Sequence, residues 1–135
     1  MSKSDENTNA VVYILDDKDT VIRKFKRAVT DSGCEVCRGE GKEGIENLMS
    51  ILSATSGESI ESIENRFEGR GYGEFKAEVA EAVVACLAPV QERYNQLMQD
   101  KSYIESVYTQ GAQQAERIAR RTLDKVYRKV GFVKR

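Results

Sequence analysis

Three residues at the start of the chain have side chains suited to handling phosphate groups. Lys3 stands between two hydroxyl residues, Ser2 and Ser4, directly after Met1. The lysine ammonium is a point charge on a flexible stem that follows a phosphate as it moves, and serines supply hydrogen-bond donors. Polar residues of these common types also occur by chance in frayed termini. On chemistry alone, the stretch indicates either a phosphate-binding arm or an ordinary polar tail.

A second group of chemically useful side chains lies at the other end of the chain. The net charge is only −1, but acidic residues crowd residues 40–81 and basic residues crowd residues 117–135. Such asymmetry indicates contact with a polyanion at the basic end, and a solvated helical surface is the alternative. The candidate contact residues, chosen from this clustering of charge, are Arg117, Arg120, Arg121, Lys125 and Arg128.

Metal-dependent and redox chemistry have little support in the composition. The chain has no histidine, which removes the commonest general base and metal ligand. Cys34 and Cys37 have Cys-x-x-Cys spacing, but Cys86 falls within an apolar stretch far from them. A zinc or iron–sulphur site needs four ligands. We expect no metal and three reduced, incidental thiols; a metal site and a redox disulfide are the alternatives.

The hydrophobic pattern predicts an all-α protein, a helical bundle of about six helices with a polar N-terminal arm. A short apolar run over residues 10–15 is expected to be extended. We expect a kink at Pro89, a helix break at Gly111, and burial of the apolar stripe of each helix in the core. Apolar residues recur at helical spacing over residues 18–30, 43–55, 58–68, 74–99, 101–109 and 112–130.

Length and composition indicate one compact domain. The 135 residues divide into a polar arm, residues 1–10, and a helical domain, residues 11–135. No apolar run approaches the roughly 18–20 residues that span a bilayer, and no secretory signal opens the chain. We therefore expect a cytoplasmic protein with no membrane partner.

Short motifs along the chain resemble those of one enzyme family. Residues 1–4, Met-Ser-Lys-Ser, resemble the last four residues of the Lys-Met-Ser-Lys-Ser signature of class I aminoacyl-tRNA synthetases. By this resemblance the chain is the C-terminal part of a bacterial tryptophanyl-tRNA synthetase, beginning just after the first lysine of the signature. The further stretches that resemble this family, in matching order and spacing, are Asp5-Glu6-Asn7, Leu15-Asp16-Asp17, Arg27-Ala28-Val29-Thr30-Asp31-Ser32 and Gly71-Tyr72-Gly73-Glu74-Phe75-Lys76.

The resemblance implies a role for the N-terminal arm in ATP chemistry. The parent enzyme would activate tryptophan with ATP and Mg²⁺ and then charge tRNA(Trp). Lys3 would be catalytic, stabilising charge on the leaving pyrophosphate, and Met1, Ser2, Lys3 and Ser4 would contact ATP. The family's His-x-Gly-His element and its nucleotide-binding domain belong upstream and are absent from this chain. We therefore expect the isolated chain to be inactive and to need no cofactor.

For the helical domain, the resemblance implies recognition of the tRNA anticodon. Unstacked anticodon bases suit arginine side chains, which form hydrogen bonds and provide a stacking plane. Five of the basic residues of the last predicted helix are accordingly our candidates for tRNA contacts: Arg117, Arg120, Arg121, Lys125 and Arg128. The parent is expected to be a homodimer and the fragment a monomer. The alternative hypothesis is a stand-alone helical adaptor that binds RNA or protein and has no catalytic role.

Overall fold

The computed structural model describes residues 7–133, and within that range the regular structure is entirely helical, with no strand. This confirms the all-α prediction. The described range has five α-helices rather than the predicted six. After one turn of 3₁₀ helix, Thr8–Ala10, they are α1, Lys18–Lys26; α2, Glu43–Ser56; α3, Ile60–Phe67; α4, Tyr72–Gln99; and α5, Lys101–Val130.

The chain divides into two compact units, residues 1–92 and residues 93–135. The first unit has a hydrophobic core built from the predicted apolar stripes of α1, α2, α3 and the first half of α4. Phe67 and Phe75 meet edge to face in it, with ring centroids 5.1 Å apart. The buried apolar residues are Val21, Phe25, Val36, Ile45, Leu48, Met49, Leu52, Ile63, Phe67, Phe75, Val79, Ala80 and Val83.

The first helix is shorter than predicted. It begins where the Asp17 side chain accepts a 2.7 Å hydrogen bond from the Thr20 amide, a typical N-terminal cap. It ends at Lys26, so the predicted range 18–30 is wrong at its C-terminal end. Lys76, from α4, donates hydrogen bonds to the Ala28 carbonyl at 2.9 Å and to the Thr30 hydroxyl at 3.0 Å. These long-range bonds hold residues 28–30 outside the helix.

The run over residues 10–15 is not extended throughout, contrary to prediction. Ala10 belongs to the 3₁₀ turn, Val11 is extended, and the chain then turns at Ile14 and Leu15. Short apolar runs carry too little pattern to distinguish a strand from a turn.

None of the helices in the described range is both long enough and apolar enough to cross a membrane.

The two longest helices continue through both residues expected to disturb them. Helix α4 runs on past Pro89, and α5 runs on past Gly111. The predicted helices over 101–109 and 112–130 are therefore one helix, and the predicted break is wrong. A glycine inside a helix costs only about 1 kcal/mol relative to alanine, so a long helix tolerates one.

The apolar stripes of these two helices are only partly buried. No residue of α5 is buried, and Val90 and Ile118 are 51% and 61% exposed. Cys86, expected within the α4 stripe, is also exposed. The prediction that every helical stripe belongs to the core is therefore wrong for the end of α4 and for α5. Periodicity identifies the face that can be buried but not what covers it.

Candidate nucleic-acid interface

Helix α5 is specified at both ends by local chemistry, and it carries the candidate RNA contacts. At its start, the Asp100 side chain accepts a 2.9 Å hydrogen bond from the Tyr103 amide. At its end, Gly131 adopts a left-handed conformation with φ of 79°, and its amide donates to the Tyr127 carbonyl at 2.9 Å. These caps confirm the predicted start of the helix over residues 101–109 and the predicted end of the helix over residues 112–130.

The five predicted contact residues lie on one side of α5, and all are exposed. Arg117, Arg121 and Arg128 follow the i, i+4, i+11 spacing that places side chains in one row along a helix. Arg120 and Lys125 lie on either side of that row. At 1.5 Å per residue the row spans about 17 Å. We call Arg117, Arg120, Arg121, Lys125 and Arg128 the basic face.

Two members of the basic face have contacts within their own helix. The Arg120 guanidinium lies 3.4 Å from the Glu116 carboxylate, and both side chains are well exposed. An exposed pair of this kind contributes little to stability, so a phosphate can replace the carboxylate at small cost. Arg128 Nε donates a 3.2 Å hydrogen bond to the Asp124 carbonyl oxygen. That bond orients the Arg128 side chain along the helix.

A partly buried polar network in the first unit was missed by the sequence prediction. The Tyr72 hydroxyl donates to Asp31 Oδ1 at 2.6 Å, and Lys42 Nζ donates to the Tyr72 oxygen at 3.0 Å. Lys42 also donates to the Glu35 carbonyl oxygen at 2.9 Å. We call Asp31, Lys42 and Tyr72 the polar triad.

The contacts of the polar triad shift the pKa of each member. The Tyr72 hydroxyl, aided by the Gly33 amide and the Lys42 charge, holds the pKa of Asp31 below its usual value. The pKa of Lys42 is raised, chiefly by its hydrogen bond with Tyr72 and also by the charge of Asp31. Burial, with the neighbouring Asp31 carboxylate, raises the pKa of Tyr72. The triad is therefore ionised as Asp⁻, Lys⁺ and neutral Tyr near neutral pH.

The triad joins segments that the sequence keeps far apart. Asp31 lies in the segment between α1 and α2, whereas Tyr72 opens α4. The only signal in the sequence is that both residues fall inside motifs that carry the family resemblance. A separation of 41 residues gives no periodicity from which contact can be inferred.

The remaining predicted site residues lie in the arm. Met1, Ser2, Lys3 and Ser4 are outside the described residues, so their assignment stays a prediction.

In residues 7–133, no group of three or more His, Cys, Asp or Glu side chains is placed to hold a metal ion. The thiols of Cys34, Cys37 and Cys86 are free.

Within residues 7–133, the chain is a helical protein whose helix α5 exposes five basic side chains on one side. Comparison with known proteins identifies its relatives. The profile of the family described as tRNA synthetases class I (W and Y) matches residues 1–88. The chain belongs to this family.

The most informative relatives are bacterial proteins named tryptophan–tRNA ligase. The chain is 42% identical over 133 residues to that of Clostridium acetobutylicum and 46% identical over 133 residues to that of Halalkalibacterium halodurans. Each match covers 98% of this chain and 40% of the relative. A crystal structure of tryptophanyl-tRNA synthetase from Mycoplasma pneumoniae matches with a TM-score of 0.66 and 29% identity, over 98% of this chain and 41% of that one.

These matches confirm the predicted family and the predicted place in it. The chain spans about 40% of the length of the curated relatives and corresponds to their C-terminal part. Similarity to ligases extends through nearly the whole chain, including the segment beyond residue 88 that carries the basic face. That extent favours the synthetase interpretation over a stand-alone adaptor.

Proposed function

We propose that this chain works as the C-terminal part of a tryptophan–tRNA ligase, which activates tryptophan with ATP and charges tRNA(Trp). The observation that supports this most strongly is the 42–46% identity to proteins of that name over 98% of the chain. In this proposal the helical domain recognises tRNA and the arm contributes to ATP chemistry in the upstream nucleotide-binding domain.

The arm supplies one positive charge to the activation step. Lys3 matches the second lysine of the family signature, and its ammonium stabilises negative charge that develops on the leaving pyrophosphate. Met1, Ser2 and Ser4 complete the contact with ATP. The described residues do not fit a Mg²⁺ site, because no suitable carboxylate cluster exists in residues 7–133. In this proposal, Mg²⁺ accompanies the ATP phosphates in the upstream domain.

The basic face of α5 contacts tRNA(Trp). Its exposed guanidinium groups suit both phosphate binding and stacking on unpaired anticodon bases. Every phosphate contact releases counterions, so the affinity for tRNA falls steeply as salt rises.

The isolated chain activates no amino acid in this proposal. Activation needs reactants held in a near-attack geometry, and one lysine on an arm does not supply it. We further propose that the ligase is a cytoplasmic homodimer that associates outside this chain, so that the isolated chain is a monomer without a cofactor. A stand-alone RNA- or protein-binding adaptor is the competing function.

The decisive experiment joins this chain to the upstream coding sequence and measures tryptophan-dependent ATP–pyrophosphate exchange. We expect activity from the full-length protein and none from the 135-residue chain. A gene that begins at Met1 with no upstream domain, or a full-length protein without exchange activity, would favour the adaptor.

A binding titration tests the basic face. Labelled tRNA(Trp) is titrated with the chain at two salt concentrations. The combined substitution Arg117→Ala, Arg120→Ala and Arg121→Ala is expected to weaken binding and to lower the salt slope by about 2 to 3, since each phosphate contact contributes about 0.9. The matched control replaces three exposed basic residues, two in α1 and one at its C-terminal cap: Lys18→Ala, Lys26→Ala and Arg27→Ala. Equal losses in the two variants would contradict the assignment.

A further inference from the structure

Residues 13–16 form a turn that presents large apolar side chains to solvent. The Asp16 amide donates to the Tyr13 carbonyl at 3.0 Å, and the Tyr13 amide donates to Asp16 Oδ2 at 2.9 Å. Tyr13, Ile14 and Leu15 are 54%, 58% and 55% exposed. We call these three residues, with Asp16, the apolar turn.

Two helices hold the backbone of the apolar turn in place. Lys24 of α1, only 7% exposed, donates to the Val11 carbonyl at 2.7 Å and pairs with Asp16 at 2.5 Å. Its ammonium also lies 4.9 Å from the centre of the Tyr13 ring. Gln91 of α4 donates from Nε2 to the Ile14 carbonyl at 2.8 Å and to the Asp16 carbonyl at 2.9 Å. The turn is therefore ordered although its apolar side chains are exposed.

An ordered turn with exposed apolar side chains suits a surface that becomes buried against another part of a protein. A backbone carbonyl that loses water without a protein partner costs free energy, and here the Val11, Tyr13, Ile14 and Asp16 carbonyls already accept hydrogen bonds from the protein. Covering the turn would thus remove water mainly from apolar groups. Its rigidity also limits the conformational entropy lost on docking.

The position of the turn in the chain indicates what covers it. This chain matches the C-terminal part of its relatives and spans 40% of their length. About three fifths of a full-length relative therefore precede the position that corresponds to residue 1. Tyr13 lies roughly 12 residues after that position, a distance of at most about 40 Å in extended chain. The exposed apolar residues of α5 lie about 90 residues further along.

We propose that the apolar turn is the docking surface for the upstream nucleotide-binding part of the same ligase chain. This inference rests on the proposed function. Docking holds Val11, eight residues after Lys3, at a fixed place on the upstream domain. The turn therefore positions the start of the arm, and Tyr13, Ile14 and Leu15 act as positioning residues that do not touch ATP.

The first test uses the full-length ligase that carries this chain. Ile14→Ser with Leu15→Ser is expected to lower the rate constant of ATP–pyrophosphate exchange by about tenfold or more, which corresponds to about 1.4 kcal/mol. The affinity for tRNA(Trp) and the urea midpoint of the 135-residue chain should be unchanged, because both side chains are exposed in it. Val29→Ser, at a residue 88% exposed and outside the turn, is the matched control.

The outcomes of this test separate the two proposals. Activity of the double variant equal to that of Val29→Ser, in an otherwise active ligase, overturns the docking surface and leaves the proposed function intact. An unmodified full-length protein without exchange activity overturns the proposed function, and the docking proposal falls with it.

A second test measures burial directly by hydroxyl-radical footprinting. Tyr13, Ile14 and Leu15 are expected to be labelled in the 135-residue chain and protected in the full-length ligase, with Val29 as the reference in both samples. Equal labelling in both proteins would overturn the proposal. Protection that appears in the isolated chain as its concentration rises would assign the turn to a second copy instead.

Discussion

The Tyr72 hydroxyl donates a 2.6 Å hydrogen bond to the carboxylate of Asp31, which lies 41 residues earlier in the chain. Lys42 completes the polar triad by donating to the same hydroxyl oxygen at 3.0 Å. The segment between α1 and α2 is thereby attached to the first turn of α4. A segment without regular structure depends on such contacts, because its own backbone forms few local hydrogen bonds.

Removing the Tyr72 hydroxyl is expected to destabilise the first unit. Tyr72→Phe leaves Asp31 and Lys42 without their shared partner, and the free energy of unfolding should fall by about 1 kcal/mol. Urea denaturation followed by circular dichroism measures this. Tyr108→Phe, at a tyrosine 61% exposed in α5, is the control and should change little. Equal effects of the two substitutions would show that the triad does not contribute.

The lowered pKa of Asp31 predicts an acid-dependent contribution to stability. A carboxyl group with a lower pKa in the folded state stabilises the protein above its unfolded pKa, 3.8 here. That contribution is lost as pH falls through the folded pKa. Asp31→Asn should therefore reduce the urea midpoint at about pH 7 more than at a pH below 3.8, where the carboxyl group is already protonated in the unfolded chain and its contribution shrinks. A pH-independent difference between the two proteins would contradict the shift.

The core of the first unit and the apolar face of α5 should respond differently to truncation. Phe67→Ala removes a ring that is 1% exposed and packed against Phe75, so a loss of about 3–5 kcal/mol is expected. Ile118→Ala, at a residue 61% exposed, should cost less than about 0.5 kcal/mol. Urea denaturation of the 135-residue chain measures both. A comparable loss at Ile118 would mean that its side chain is buried in solution.

Two helical glycines should give opposite results when replaced by alanine. A Cβ at Gly44 would lie 2.5 Å from the Val29 carbonyl oxygen, so Gly44→Ala must displace backbone and is expected to destabilise the first unit. Nothing lies within 4 Å of a Cβ at Gly111, so Gly111→Ala should stabilise α5 by about 0.5–1 kcal/mol. Thermal and urea unfolding compare the variants with the wild type. A gain at Gly44 would exclude the close approach of α2 to Val29.

The proposed role of Lys3 predicts an effect on chemistry rather than on binding. In the full-length ligase, Lys3→Ala should slow tryptophan activation by about 10² to 10³, the usual effect of removing one group that stabilises transition-state charge. Tryptophan affinity should be nearly unchanged. Lys18→Ala, an exposed lysine at the start of α1, is the control. Pyrophosphate exchange measures the rate of activation, and equilibrium binding measures the affinity for tryptophan. Equal effects of Lys3→Ala on the two quantities would contradict the assignment.

The candidate site could be predicted from sequence only where neighbours in the chain are neighbours in space. Arg117, Arg121 and Arg128 share a side of α5 because helical geometry places spaced residues together, and charge clustering was enough to select them. Asp31 and Tyr72 come together only through folding of the first unit. The motifs contained both residues but gave no indication of their contact.

The sequence by itself determined the family, the all-α class, the caps of α5 and the core stripes of α1, α2, α3 and the first half of α4, since all of these depend on local residue types and spacing. The tertiary structure alone decided three other features. Lys76 ends α1 early through bonds to residues nearly 50 positions away, Gln91 fixes the apolar turn, and the apolar face of α5 is exposed. Each depends on which distant surfaces meet, and a local pattern does not contain that information.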